Sequence, residues 1–599
     1  MRTAPRSRRR RSRRRLRVVV VTALAVLVVL AAGAGVVGAV LFGQAQDARS
    51  HLLAARDAAA DMAAAVRDRS PDRVRADAES ISSHVHAADD IIDGPLWQAA
   101  AAVPLVGPNV DAVRTMTRAA VVIDEKALPS GLSLLTDLST GSLSTDGAGI
   151  DLAPFRDAAT ELPQISDAVG QADDLLGGID TSRVVPEVAD AADSFTAMIH
   201  GIRPTLDDLQ ASLPTLLDMA GANGPRRYLV IFQNNAEIRA TGGNPAAQTL
   251  VTIDDGKARI ESQSNSSQFD EDGLTARDVT DVPAATRALY ETDTWQFSQN
   301  FTRTPDFPFT AHLFDALWAK AGRQPFDGVI SLDPVALARV LAVTGPVTLP
   351  GGGEITADNA VSLLLHDAYT RFGSDAAASD AYFAQVVESV FAVLTHGSWA
   401  PVPMIEALTH DVQDHRLLAW MRDASAQAAV VRAGMSGTFA ADGSDVGVFL
   451  NDSSHSKLEY FLSSSVSVTC DAATRTVHSS ITMTSTAPGG LPGYVQGQRN
   501  RSMGLPGNTM LLDVLFFAPS GGQVTSTDPA RGDIARWDRS GSDAGRDARS
   551  LTITLAAGET KTVSATSTYD PAVGVGAVRF TPGIGDTPVT LSPSCEPSR

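Results

Sequence analysis

Residues 224–243 read "GPRRYLVIFQNNAEIRATGG", and how this stretch is assigned decides the organisation of the whole chain. Before it, from about residue 44, the sequence is alanine-rich and patterned for helices. Tyr228–Phe232 is then an apolar run of strand length, followed at once by Gln233, Asn234 and Asn235. Amides, Glu237, Arg239 and the pair Gly242-Gly243 predict a concentrated polar turn at the end of a short buried strand. A strand followed by such a turn marks the passage from helical to α/β architecture.

Working upstream, "ARSHLLAARDAAADMAAAVRDRS" is dense in good helix formers. Ser70-Pro71 predicts a cap and first-turn proline opening the next helix. A turn is expected around Pro104 and Gly107-Pro108, a Gly/Ser/Thr loop over 130–149, and further helix from about Leu152 to Met219, broken near Gly177-Gly178 and Pro186. Residues 44–220 therefore predict an extracytoplasmic helical stalk or bundle. Before them, the first 17 residues hold ten arginines and no acid, and Val18–Phe42 is 25 residues without a charge. That is ample for a bilayer core of about 30 Å, and it predicts a transmembrane helix over 18–42 with a cytoplasmic tail at 1–17 and the bulk of the chain outside. A secretory signal cleaved near Ala32-Gly-Ala-Gly is the competing reading, although its apolar region would span only about 7–15 residues.

Downstream, strands are expected at Thr249–Ile253, Ala258–Ser262 and Gly328–Leu332, and helices at Ala311–Ala321, Pro334–Ala342, Asp358–Thr370 and Ser379–Thr395. Asp255-Gly256 predicts a tight hairpin, and Asp333-Pro334 a helix cap. This gives a central α/β domain over 225–435. From about 440 to 599 the pattern is β, with runs at Met510–Phe517, Ser550–Leu555 and Thr560–Thr568 that suit an immunoglobulin-like sandwich. The fold class is thus multi-domain: transmembrane helix, helical region, central α/β domain, C-terminal β-sandwich. Two cysteines, Cys470 and Cys595, in an exported region predict one disulfide.

The formal charge is −19, but beyond the arginine tail 39 basic face 68 acidic side chains, a net of −29. Such a surface argues against nucleic acid as a partner. No Gly-x-Ser-x-Gly, phosphate-cradling Gly-Lys-Ser/Thr or Cys-x-x-Cys motif occurs. His84-Val-His86, His366-Asp367 and the group His410, Asp411, Asp414, His415 are readable as metal ligands, but more simply as surface polar residues.

The segments "RRYLVIFQNNAEIRATGG", "FDGVISLDPVALARVLAVTGPVTLP", "ITADNAVSLLLHDAY", "SKLEYFL" and "LPGYV" resemble an uncharacterised family of bacterial membrane-anchored proteins, known as a domain of unknown function. The similarity runs from about Trp97 to about Lys561, and "NNAEIRATGG" is its most specific element. More distantly, the order of segments in the central domain resembles the LytR–CpsA–Psr glycopolymer transferases, single-pass enzymes that move glycopolymer from a polyprenyl pyrophosphate onto peptidoglycan with Mg²⁺. In that resemblance Arg371 of "HDAYTR" falls on the family's arginine-bearing segment, and Arg303 of "TRTPDFP" is a loose counterpart of another arginine. The family's later arginine has no match in "FGSDAAASDAYFAQ".

Two readings of the polar stretch follow. In the first, Gly242 and Gly243 free the backbone to bind an anion and Arg239 supplies charge. Asn234, Asn235 and Glu237 then take sugar hydroxyls or a cation, and Asp306 joins Glu237 as a Mg²⁺ ligand or as a base for an attacking hydroxyl. Glu237, Arg239 and Asp306 are then the catalytic candidates, and Arg303 and Arg371 join the ligand-binding set. In the second, Glu237 and Arg239 pair with each other, the asparagines cap backbone and the glycines only turn the chain. The corresponding functions are an envelope protein that binds or transfers glycopolymer or polyprenyl-linked sugar, and a non-catalytic structural or adhesion scaffold.

Overall fold

The computed structural model describes residues 38–66, 68, 70–104, 106–133, 149–271, 274, 282–350, 352–373, 375–396, 399–528 and 534–597. The expected cytoplasmic tail (1–17) lies outside them, and so does the expected membrane segment except 38–42, which is helical. The expected loop at 130–149 lies outside them from 134 to 148. The chain divides into two compact units, one of Met1–Gly141 with Ala153–Pro214, the other of Ser142–Leu152 with Thr215–Arg599.

The first unit is helical. Residues 38–66 are followed by Pro71–Ile92, Pro95–Ala101, Gly107–Lys126, Ala153–Gly177 and the long helix that begins at Pro186. Ala153–Gly177 buries Leu162, Ile165, Val169, Ala172 and Leu176 along one stripe. That stripe meets Met116 and Ala119 of one neighbour and Ala192 and Ile199 of another. The recurrent alanines let helix backbones approach closely, which is why so alanine-rich a sequence still makes a core. Pro71 stands in a first helical turn as expected, yet Ser70 caps through its carbonyl to Val74 N–H (3.0 Å) and not through its hydroxyl. His84 faces His51 (3.1 Å) while His86 faces buried Asp124 (3.2 Å), so the two histidines do not share a site.

The second unit holds a mixed five-stranded sheet and two further five-stranded sheets. Strands β1 (Arg226–Arg239), β2 (Gly242–Asp254), β3 (Lys257–Asn265), β4 (Gly328–Leu332) and β5 (Leu418–Met421) form the first in the order β3-β2-β1-β4-β5. Only β1 and β4 run parallel within it. The expected hairpin is present: Asp255 and Gly256 take φ of 48° and 75° between β2 and β3. Asp333 caps the helix Pro334–Thr344, its Oδ1 accepting from Val335 (3.0 Å) and Ala336 (2.8 Å). Leu229, Ile231 and Val329 point from the sheet to the helix Phe307–Lys320, while Val230 and Phe232 point to the other face.

The opening stretch departs from expectation. No turn follows Phe232; β1 continues through the amides to Arg239, with register shifts between Phe232 and Asn234 and between Asn234 and Ile238. Bulges let a strand carry residues that ordinary pleating would misplace. Side-chain bonds then take up the polar groups. Gln233 donates to Thr241 O (3.1 Å) and Ser331 Oγ (2.6 Å), and its Oε1 accepts from Gly243 N–H (2.8 Å). The glycines open β2 instead of making a loop, and Gly243 is needed because a Cβ there would lie 2.2 Å from the Asn234 carbonyl.

The remaining two sheets form the sandwich. One contains Asp445–Asp452, Met510–Phe517 and Arg546–Leu555; the other contains Leu462–Asp471, Thr476–Ser485 and Thr560–Thr568. Every residue of Met510–Phe517 is buried. Leu512, Val514 and Phe516 fill the sandwich interior, whereas Leu515 and Phe517 join the core built on Phe301, Phe307 and Phe314 beside the central sheet. Ile238, near the end of β1, enters the sandwich core in turn. The expected segments 225–435 and 440–599 thus share cores inside one compact unit.

Among the described residues one helix, Ala377–His396, is long and apolar enough to cross a membrane by length and composition, and it lies mid-chain. Cys470 and Cys595 are disulfide-bonded, with Cα atoms 4.9 Å apart across a sequence separation of 125. Closing so long a loop is worth about 4–5 kcal/mol on the chain-entropy model. The double variant Cys470→Ser/Cys595→Ser is therefore expected to lose about that much in denaturant unfolding, and reducing the native protein should produce the same shift.

Candidate functional site

At the bulged end of β1 a polar cavity of about 890 Å³ opens. An ion pair is part of its lining. Lys457 Nζ lies 2.6 Å from Glu237 Oε1, and the lysine is only 8% exposed. The ammonium also sits over two aromatic faces, 4.7 Å from the Tyr369 ring centroid and 4.3 Å from that of Tyr494. Asn244 donates to Glu237 Oε2 (2.8 Å), and Asn234 donates to Tyr369 Oη (2.6 Å). Amide side chains of Gln248, Gln263, Asn300 and Gln498 line the walls.

The electrostatics follow from the packing. Burial pushes the Glu237 carboxyl up, but Lys457 and Arg239, with the hydrogen bonds from Lys457 and Asn244, outweigh it and hold the group below its usual 4.5. Burial opposes the Lys457 charge, and Glu237 with the two tyrosines more than restores it. Burial raises the Tyr369 hydroxyl far above its ordinary range, so it stays protonated. The site is a neutralised pair inside an amide and aromatic frame.

The expected residues divide between this cavity and the scaffold. Glu237 and Arg239 both line the cavity but do not pair with each other. Arg239, 3% exposed, donates to Ile238 O (2.9 Å) and Asn300 Oδ1 (3.2 Å) and lies 3.6 Å from Asp452. Asn235 is fully buried and donates to Asp333 Oδ2 (2.9 Å), a structural bond. Gly242 and Gly243 do not make an anion nest, since the Gly243 N–H is taken by Gln233. Arg303, 1% exposed, is held by Asp293 (2.8 Å) and Glu291 (3.7 Å) and does not line the cavity. Arg371 is exposed on a helix end over Phe372 (5.1 Å). Asp306 caps the helix Phe307–Lys320 through Phe309 N–H (3.2 Å) and is absent from the cavity wall. The structure does not bring Asp306 to Glu237, so these two carboxylates do not make a Mg²⁺ site. The trio Glu291, Asp293 and His455 has ligand atoms within 4.8 Å, but Arg303 and Arg499 already neutralise its carboxylates. In the group at 410–415, Arg339 binds both Asp411 and Asp414, which makes it a salt-bridge anchor.

Lys457 and Tyr494 were not singled out by sequence reasoning, although a signal existed. The segments "NNAEIRATGG", "HDAY", "SKLEYFL" and "LPGYV" supply Asn234 with Glu237, then Tyr369, Lys457 and Tyr494. Chain segments up to 220 residues apart in their hydrogen bonding converge on one box.

A family model described as "Protein of unknown function (DUF4012)" matches residues 223–369, which run from just before β1 to Tyr369. No curated protein and no solved structure matches the chain. The likeness to LytR–CpsA–Psr enzymes rests on sequence segments alone.

Removing one member of a buried pair strands the other, at a cost of about 3–5 kcal/mol. Lys457→Met is expected to destabilise by about that amount, and Lys457→Met/Glu237→Gln to recover most of it. The sign with pH is fixed by the depressed Glu237 value: its contribution is present above 4.5 and lost as pH falls through the folded-state pKa. Urea midpoints between pH 7 and pH 3 should show that loss in the native chain and a smaller or reversed dependence in Lys457→Met, where the ammonium no longer offsets the burial of Glu237.

Proposed function

We propose that this chain is a membrane-anchored, extracytoplasmic cell-envelope protein. Its polar cavity binds a glycopolymer or a sugar carried on a polyprenyl phosphate. One observation carries the reading: the Lys457–Glu237 pair stands between Tyr369 and Tyr494 in the lining of an 890 Å³ cavity walled by amides. Carboxamides offer a donor and an acceptor side by side, the match for neighbouring sugar hydroxyls, and aromatic faces suit the apolar face of a sugar ring. The volume falls in the range of about 300–1,000 Å³ usual for small-molecule sites.

Binding is better supported than transfer. A base for a sugar hydroxyl works best with a pKa near the operating pH, and Glu237 is held below its ordinary value by its partners. Arginines neutralise a pyrophosphate by bidentate bonding, and both Arg303 and Arg371 lie off the cavity wall. Mg²⁺-assisted transfer would need both elements at the cavity. The anchor and outward orientation rest on the arginine-rich tail and the uncharged run at 18–42.

Calorimetry on the purified full-length chain, with cell-wall glycopolymer and with a sugar phosphate, each with and without Mg²⁺, is the test. Saturable binding is expected, weakened about tenfold by Gln498→Ala or by Phe297→Ala, which removes a half-open wall residue, and unchanged by Asp306→Asn. Absence of heat with every ligand would leave the scaffold function in its place.

A further inference from the structure

Residues 452–459 read "DSSHSKLE" and link the sandwich strand Asp445–Asp452 to the short helical turn Leu458–Phe461. Asp452, Ser454 and Ser456 are buried, while His455 between the two serines is exposed. Asp452 Oδ1 accepts from the Ser454 N–H (2.7 Å) and from its hydroxyl (2.5 Å), and the Ser454 and Ser456 hydroxyls lie 2.8 Å apart. Asp452 Oδ2 accepts from the Ser456 N–H (3.2 Å). The loop thus gathers one carboxylate and two hydroxyls into a single buried group of oxygens.

Glu459 closes the segment. It is 1% exposed, and neither of its carboxylate oxygens has a hydrogen-bond partner. Burial and the Asp452 charge oppose its ionisation, whereas its own N–H and Arg239 favour it. The neighbouring acids are each answered by a base. Lys457 pairs with Glu237, Arg499 with Glu291 and Arg303 with Asp293. Arg239 approaches Asp452 at Oδ2 (3.6 Å), which leaves Oδ1 to the serines. Among the described residues, Glu459 is the acid of this network without a base in ion-pair reach. Buried carboxylates are expensive unless they are paired or bind a metal ion.

Carboxylate and hydroxyl oxygens are hard donors, suited to Ca²⁺ or Mg²⁺ rather than to zinc or copper. Mg²⁺ demands near-octahedral geometry and usually keeps several waters, whereas Ca²⁺ accepts an irregular set of protein oxygens. Donors crowded into one short, buried loop favour the second. We infer that Asp452, Ser454, Ser456 and Glu459 form a structural Ca²⁺ site. The ion supplies the positive charge that Glu459 lacks and ties the sandwich strand to the turn that follows it. Lys457 belongs to the same loop, so the bound ion also fixes the ammonium that pairs with Glu237. The site stands whatever the polar cavity binds.

The test takes the purified full-length chain through metal analysis, then strips it with EGTA and melts it with CaCl₂, MgCl₂ or KCl at constant ionic strength. About one Ca²⁺ per chain as purified is expected, or a melting temperature raised by roughly 5 °C when Ca²⁺ exceeds Kd about a hundredfold. Glu459→Gln should lose the ion and weaken Ca²⁺ binding in calorimetry about tenfold or more. Because it removes the unpaired charge, its stripped form should be no less stable than the stripped native chain. Ser456→Ala should weaken binding in the same direction. His455→Gly suits the left-handed backbone at that position (φ 54°) and takes the imidazole from the trio with Glu291 and Asp293; it should leave Ca²⁺ binding unchanged. A native chain that carries no Ca²⁺ and shows no shift beyond that with Mg²⁺ or K⁺ would overturn the inference. So would native-like binding in both Glu459→Gln and Ser456→Ala, or loss of binding in His455→Gly, which would put the ion at the trio.

Discussion

Strand β1 has to belong to two cores at once. Its first half lies in the central sheet, where Leu229 and Ile231 pack on the Phe307–Lys320 helix, and its last residues bring Ile238 into the interior of the sandwich. A regular strand alternates faces strictly, so one extended run could not satisfy both demands. The register shifts around Asn234 resolve this by letting the chain change which side it presents. The same shifts leave Glu237 on the wall of the polar cavity, with buried Asn234 donating to its carboxylate (3.4 Å). Core geometry and the polar site therefore have one origin.

Around that strand end the protein accepts buried charge. Arg239 and Arg303 lie close enough that Arg303 adds to burial in depressing the Arg239 pKa, and Asp452 offsets part of it. Glu459 is pushed well above the ordinary carboxyl value by burial and by Asp452. Buried ionic groups rarely add net stability over apolar packing, and they are costly to leave half-made. Their effect here is to fix geometry: Arg303 ties Asp293 to Asp452, Arg239 ties β1 to Asn300, and Arg499 ties Glu291 to Ser453. Arg239 and Asp293 reach the cavity wall but are tied back into this network, whereas Lys457 and Glu237 pair with each other there.

Much of the local structure was legible from residue chemistry. Asp255-Gly256 needs left-handed backbone and sits between two alternating runs, so the hairpin could be read directly. Asp333-Pro334 carries its own cap, and the run Met510–Phe517 reads as a strand. The amides after Phe232 were misread for an equally physical reason. Asparagine and glycine are depleted in strands and enriched in turns. Only contacts with Ser331, Asp333, Thr241 and Tyr369, all remote in sequence or across the hairpin, make a strand there affordable. The membrane-like composition of Ala377–His396 was likewise visible as helix, but what it faces was not.

The sequence by itself determined the periodicities, the turns that demand special backbone angles, the helix caps, the cysteine pair and the division between helical and β regions, because each depends on neighbours within a few residues or on composition. Tertiary structure alone decided that Glu237 would meet Lys457 and not Arg239, that Asp306 would serve as a cap, and that the Lys457 ammonium would lie over Tyr369 and Tyr494. Those outcomes turn on which distant side chains share a desolvated volume. In that setting the partner within hydrogen-bonding reach wins over the one nearest along the chain.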